Sequence, residues 1–276
     1  MFLNVRFTER ETLRTASNPL MLAKLKSGIK MKMKPNIGIC LLFFAAFLFT
    51  VSSCKKDKEP EDIVDANGNI YHTVYIGTQI WMAENLKTTK FNDSSKIALV
   101  TSNNTWITTK SPAYCWYNND TSNKALYGAL YNWYAVGTKK LCPSGWHIPD
   151  HDEYKTLEIY LGMTQVQADT WGWRGTNQGT KMKSTSGWKD RGNGTNTSRF
   201  SGLAGGYRWA ETGAFFNLGM VSYWWTYSEN NATEGLYRRL DFDQTMVYSQ
   251  GVKKQGGKYV RCIKNPDGGK LRLHLI

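Results

Sequence analysis

The side chains able to do chemistry are thinly spread along this 276-residue chain, so their spacing carries the argument. Its four histidines are His72, His147, His151 and His274. His147 and His151 stand four apart, as two imidazoles on one helical face would. Pro149 lies between them and marks a helix start, which separates the two sides and makes polar first-turn residues the plainer expectation. Asp241 with Asp243, and the run Asn118-Asn119-Asp120, offer hard oxygens to a structural calcium ion. Neither follows the spacing of an EF-hand loop, and polar turns account for both. There is no nucleophile elbow, phosphate loop or zinc-protease motif. Catalytic carboxylates converging from distant positions stay open as an alternative.

Aromatic residues give the better lead, with 11 Trp and 15 Tyr in the chain. They cluster at Trp171-Gly172-Trp173, Tyr207-Arg208-Trp209 and Tyr223-Trp224-Trp225. In a strand, consecutive Trp224 and Trp225 point to opposite faces, so one of them can face outward. An outward ring beside Glu229, Asn230 and Asn231 could stack on a sugar while amides bind its hydroxyls. Trp209, Trp224, Trp225, Glu229 and Asn230 are therefore the candidate binding set. The competing reading makes these rings the core of a helix-poor domain.

Cys54 ends a stretch of a different kind. Lys32 and Lys34 precede the apolar run Ile37–Thr50, and Val51-Ser52-Ser53 leads into the cysteine. The run is too short for a bilayer-spanning helix and reads as a secretory signal at 31–53. The four residues Val51–Cys54 resemble the lipobox of bacterial lipoproteins, which implies thioether lipidation of Cys54 and cleavage before it. Residues 1–30 are basic without an apolar period and read as an early-called start, with Met31 or Met33 the initiator, or as a long n-region. Lys55–Asp62 is charged, contains Pro60, and completes a solvated tether at 54–62. Membrane attachment through the anchor, and a place in the cell envelope on an outer membrane, possible surface exposure included, follow as expectations.

The formal charge of +13 invites a nucleic-acid reading. Removing residues 1–53 leaves 27 basic and 20 acidic residues, a net of +7 that is dispersed without a basic stripe. No nucleic-acid partner is expected. The remaining 223 residues can bury one core, and their Gly, Asn, Thr and Ser content predicts many turns and short strands.

Several elements must position these side chains. Asp65–Asn69 is a turn, followed by strands Ile70–Ile76 and Gln79–Met82 around Gly77-Thr78, an opening hairpin. Leu126-Tyr127, Leu130-Tyr131 and Tyr134 recur at helical spacing and predict one helix over 125–136. After Pro149, Asp150 and Glu153 form a capping box. Tyr154, Leu157 and Leu161 give the apolar face, and Gly162 the stop. Short strands follow at Tyr223–Tyr227, Leu236–Phe242, Thr245–Tyr248 and Lys258–Ile263. Residues 266–276 read as a flexible tail. Two short helices ahead of short antiparallel strands make an α+β domain with long loops.

The ordered segments Trp81–Lys87 (WMAENLK), Tyr114–Asp120 (YCWYNND), Tyr127–Val136 (YGALYNWYAV) and Leu141–Pro149 (LCPSGWHIP) lead into Gly205–Arg208 (GGYR), Tyr223–Trp225 (YWW) and Val260–Cys262 (VRC). Together they resemble the Fibrobacter succinogenes major paralogous domain over residues 63–265. The resemblance implies a compact, loop-rich fold related to the formylglycine-generating-enzyme and C-type-lectin-like folds, on secreted or lipid-anchored proteins. It brings no established activity. Leu203-Ala204-Gly205 and Gly256–Tyr259 depart from the usual pattern and put local loop geometry in question.

Of the three cysteines beyond Cys54, an oxidising compartment pairs two of Cys115, Cys142 and Cys262. Cys142–Cys262 is favoured, since a cysteine before the helix tied to the last strand closes a long loop. Cys115–Cys262, Cys115–Cys142 and three buried thiols are the alternatives. Copper-dependent chemistry of the formylglycine-generating kind needs neighbouring late cysteines, and Cys262 has none. The favoured class is a non-enzymatic, lipid-anchored envelope protein that binds a glycan or a protein. An enzyme acting on surface polysaccharide and a purely structural surface component are the alternatives.

Overall fold

A computed structural model describes residues 60–266. Cys54, the signal segment, the start of the tether and nearly all of the tail lie outside them. The architecture is α+β, with five small sheets and six short α-helices among the described residues where the sequence predicts two.

Local signals explain the first elements. Strands β1 (Ile63–Val64) and β2 (Ile70–Tyr71) pair around a turn held by Asp65. Its carboxylate accepts from the backbone of Asn67 at 2.8 Å and Asn69 at 3.0 Å, and from the Tyr71 hydroxyl at 2.6 Å. The expected hairpin is β3 (Thr73–Ile76) against β4 (Gln79–Met82). Gly77 makes its two-residue turn at φ +63°, and an added Cβ there would press 2.9 Å against the Tyr160 ring. Two late strands complete that sheet, β8 (Trp146–His147) and β15 (Ile263–Lys264), in the order β3-β4-β15-β8.

The middle of the chain holds a correction. The stretch expected as one helix is α2 (Asn123–Tyr127), then strand β7 (Leu130–Tyr131), then α3 (Trp133–Gly137). Gly128 breaks the helix at φ +80°, where a Cβ would meet the Leu86 carbonyl at 2.8 Å. Strand β7 then pairs with β6 (Ala113–Cys115), which pairs in parallel with β5 (Ala98–Leu99). Helix α1 (Asn103–Thr108) connects β5 to β6.

Helix α4 (His151–Tyr160) starts as the sequence predicts. Both halves of the Asp150/Glu153 capping box form, and Tyr154, Leu157 and Leu161 are buried. Each such side chain contributes about 1.5–3 kcal/mol, which outweighs the propensity of a ten-residue helix. Short helices α5 (Gln165–Ala168) and α6 (Gln178–Met182) follow on either side of β9 (Gly172–Arg174).

The main sheet is β12 (Val221–Asn231), β13 (Glu234–Asp241) and β14 (Val247–Lys253), closed by β9 in the order β12-β13-β14-β9, all antiparallel. It separates two hydrophobic clusters. Trp224 and Leu240 belong to one, with Trp81, Tyr154 and Phe200; Tyr223, Trp225 and Tyr237 belong to the other, with Tyr131 and Trp133. The second cluster also contains the disulfide Cys142–Cys262, which spans 120 residues of sequence at a Cα separation of 5.9 Å. Among the described residues Cys115 is the remaining thiol, buried and pushed up to about 12 by that burial. Among the described residues no helix is long and apolar enough to cross a membrane.

Candidate functional site

The sequence-predicted binding set does not assemble as one site. Alternation does send Trp224 and Trp225 to opposite faces, yet both rings are fully buried because both faces are covered. Trp224 Nε1 donates to Asn85 at 2.8 Å under one cluster, and Trp225 Nε1 donates to the Tyr131 carbonyl at 2.8 Å under the other. Glu229 is exposed but engaged, accepting from Lys254 Nζ at 2.8 Å. Asn230 donates to Glu234 at 2.7 Å at the β12–β13 turn. Only Trp209 presents a partly open ring, 37% exposed, and it leans edge-on against Tyr207 at 5.9 Å.

Tyr207 leads to a different surface. Strand register places Tyr223 opposite Arg239, Arg239 opposite Tyr248, and Tyr248 opposite Trp173, so one row crosses all four strands on the same face. Tyr237 and Gln250 lie in the next row of that face, opposite each other. The rings touch in sequence. Trp173 meets Tyr248 at 5.0 Å, Tyr248 meets Tyr237 at 6.2 Å, and Tyr237 meets Tyr223 at 5.2 Å. Tyr223 then meets Tyr207 at 4.7 Å. Tyr207 stands on the small hairpin of β10 (Tyr207–Arg208) and β11 (Phe215–Phe216), which adds Phe216 at 6.0 Å, itself 40% exposed. Each contact is worth about 0.5–1.5 kcal/mol beyond burial, so the row is held in shape before any ligand arrives.

Two cations lie among these rings. The Arg239 guanidinium stands 5.4–5.5 Å from the centroids of Trp173, Tyr223 and Tyr248, and its partner is the Asp241 carboxylate. Burial raises Asp241 above the usual carboxylate range although Arg239 opposes it. Lys258 is 1% exposed and ringed by Tyr223 at 4.2 Å, Tyr237 at 4.8 Å, Trp225 at 5.0 Å and Tyr207 at 5.7 Å. Its Nζ makes no hydrogen bond among the described residues, and burial together with Arg239 lowers its pKa to about 7. Burial raises the phenols of Tyr207, Tyr223 and Tyr237, and no hydrogen bond to these groups contributes. The face is therefore rich in donors and holds one carboxylate.

Other chemically suggestive residues serve the scaffold. His147 Nε2 meets Glu153 at 2.8 Å and Nδ1 meets Asn265 at 2.6 Å, tying β8 to the helix cap. His151 faces the Arg238 guanidinium at 3.1 Å, and burial with that charge pushes it down to about 3, so its Nδ1 accepts. His72 lies between Asp62 and Glu84, but the imidazole is 71% exposed and the pairing is screened by water. Among the described residues no group of three or more His, Cys, Asp or Glu could hold a metal ion. Surface depressions among the described residues lie elsewhere, one of about 630 Å³ near Tyr134, Lys253 and Gln255, and one of about 440 Å³ near Tyr75, Trp146 and Lys264.

The recurrent sequence segments turn out to be buried hydrogen-bond hubs. Asn85 of WMAENLK accepts from Trp224 of YWW and, at 2.9 Å, from Arg261 of VRC, and donates to the Tyr127 carbonyl. Arg208 of GGYR donates to carbonyls of Gly213, Val100 and Thr101, locking β10 to the loop before α1. These segments are far apart in sequence and meet only in this fold. No curated protein matches this chain, and no solved structure does. The model of the Fibrobacter succinogenes major domain matches residues 74–264, the span of these hubs, and the chain belongs to that family.

Proposed function

We propose that this chain is a lipid-anchored protein of the cell envelope whose domain binds a glycan, without catalysis, on the ring face of the main sheet. The carrying observation is the continuous row Trp173–Tyr248–Tyr237–Tyr223–Tyr207, held by ring contacts and edged by Trp209 and Phe216. Trp173, Tyr248 and Tyr207 are the partly open rings of that row, with Tyr223 and Tyr237 buried between them, and such rings suit the apolar face of a pyranose. Tyrosine hydroxyls, the Gln250 amide and Arg239 beside them supply polar contacts that set orientation. The anchor half of the reading rests on the sequence 31–54, with Cys54 as the acylated residue and the membrane as its partner.

A glycan array probed with the full chain in detergent, with and without calcium, tests the binding half. Binding that falls at least tenfold in Trp209→Ala/Phe216→Ala, with folding unchanged, is the expected result. No bound glycan, or binding indifferent to these rings, overturns it. Incorporation of radiolabelled palmitate into wild type but not Cys54→Ala tests the anchor.

A further inference from the structure

We propose that the ring face selects acidic saccharides, sugars bearing a carboxylate or a sulfate ester, over neutral ones. This rests on the glycan reading and adds the charge class of the ligand. The argument is an inventory of what the face offers. Arg239 is a cation paired with the Asp241 carboxylate, and Lys258, a cation below about pH 7, lies among rings with no carboxylate in contact among the described residues. Tyr207, Tyr223 and Tyr237 carry phenols unused by the protein, and exposed Gln250 engages the Tyr248 hydroxyl at 2.5 Å.

Lys258 is the informative member. An amine this deeply buried is ordinarily paired with a carboxylate or satisfied by carbonyls, because leaving it alone is costly. Two other buried lysines obey that rule. Lys183 donates to the carbonyls of Asp241 at 3.0 Å and Gln244 at 2.9 Å, and Lys254 meets Glu229. Lys258 meets only ring faces. An anion stacked against those rings would lie within a few ångströms of its charge, across a medium of low dielectric. Arg239, with 28% of its side chain exposed, spends Nε and one terminal nitrogen on Asp241 and keeps the other terminal nitrogen for direct contact. The phenols can serve a neutral hydroxyl or an anion alike, so the discrimination falls to Arg239 and Lys258.

The test compares ligands that differ in charge alone. Full chain in detergent is titrated with polygalacturonate and with the same polymer fully methyl-esterified, and in parallel with dextran sulfate and dextran. Expected is about tenfold tighter binding of at least one charged polymer than of its neutral partner, the scale of one charge-assisted hydrogen bond. Which pair shows the difference separates carboxylate from sulfate recognition. Lys258→Met and Arg239→Gln should each erase most of that preference, whereas Lys124→Gln, away from the face, should leave it intact. Circular dichroism confirms that the variants fold.

Equal affinity for charged and neutral polymers overturns the charge proposal while the glycan reading stands. A preference that survives both substitutions also overturns it, as an effect of the chain's overall positive charge. Failure of every polymer to bind removes the glycan reading as well.

Discussion

The two faces of the main sheet carry the same charge inventory and use it in opposite ways. On the face turned toward α4, Glu158 accepts from Arg174 at 2.6 Å and from Arg238 at 2.8 Å, with all three side chains fully buried. Arg238 spends its remaining donors on Ser249, His151 Nδ1 and the His151 carbonyl, and Arg174 reaches the Ala168 carbonyl. Arg174 Nε alone among these guanidinium atoms has no partner. On the ring face the one ion pair is Arg239 with Asp241, while Lys258 has no polar partner and the phenols around it point to none. The first arrangement is closed and orders the core. The second leaves donors unspent, as a surface awaiting an acceptor would.

Breaking the closed side should have the largest effect. Glu158→Ala leaves two buried guanidinium groups without their carboxylate and is expected to lower stability by about 3–5 kcal/mol. The matching change on the ring face, Asp241→Asn, frees a partly exposed arginine that water can reach, and should cost about 1 kcal/mol. Urea unfolding of both variants checks the comparison, and equal losses would dissolve it.

Removing the disulfide ranks next. Cys142→Ala/Cys262→Ala opens a loop of 120 residues and should lower stability by about 2–5 kcal/mol, without touching the charges of either face. A loss of calorimetric stability with an unchanged glycan profile is expected. Loss of binding in a protein that still folds would mean that the ring face needs the crosslink to keep its shape.

Lys258 sharpens the comparison through pH. Its folded pKa of about 7 lies below the ordinary lysine value of 10.5, so the native state discards a proton that the unfolded chain keeps. Between those values the unfolded state binds more protons, and this group makes stability rise with pH; below 7 the penalty is full. Lys258→Met removes the charge yet fills the cage with a similar volume. The variant should be more stable at pH 7 by on the order of 1–4 kcal/mol, with a flatter stability profile from pH 7 to 10. A wild-type profile already flat across that range would show that the ring faces compensate the ammonium fully.

The two faces also differ in how much of them the sequence discloses. Helix α4, the opening hairpin and the Cys142–Cys262 pair are legible because their signals are local or few: a capping box, a glycine turn, three candidate thiols. The split of 125–136 is not, since the apolar period runs on past Gly128, whose φ of +80° turns the chain beside Leu86 and Asn85, residues distant in sequence. The aromatic clusters supply Trp173, Tyr207 and Tyr223 to the ring face, yet Trp224 and Trp225 mislead because alternation says nothing about what covers each face. Finding Arg239, Tyr248 and Lys258 requires the register of four strands and a loop, information that no single segment holds. Arg238 and Arg239 are adjacent in sequence, and nothing in their type says which belongs to which face.

That adjacent pair gives the finest test. Arg238→Gln removes three kinds of buried partner and should destabilise the fold by about 3 kcal/mol or more, with glycan affinity unchanged in the fraction that folds. Arg239→Gln keeps a planar amide over the same rings, loses an ion pair exposed only on its arginine side, and should lower stability by about 1–2 kcal/mol. Affinity for a charged polymer should nevertheless fall about tenfold, since a charge-assisted bond becomes a neutral one. Isothermal titration beside thermal unfolding separates the two quantities. If the neighbours exchanged these signatures, with Arg238 governing affinity and Arg239 stability, the assignment of one face to the core and the other to ligand would have to be reversed.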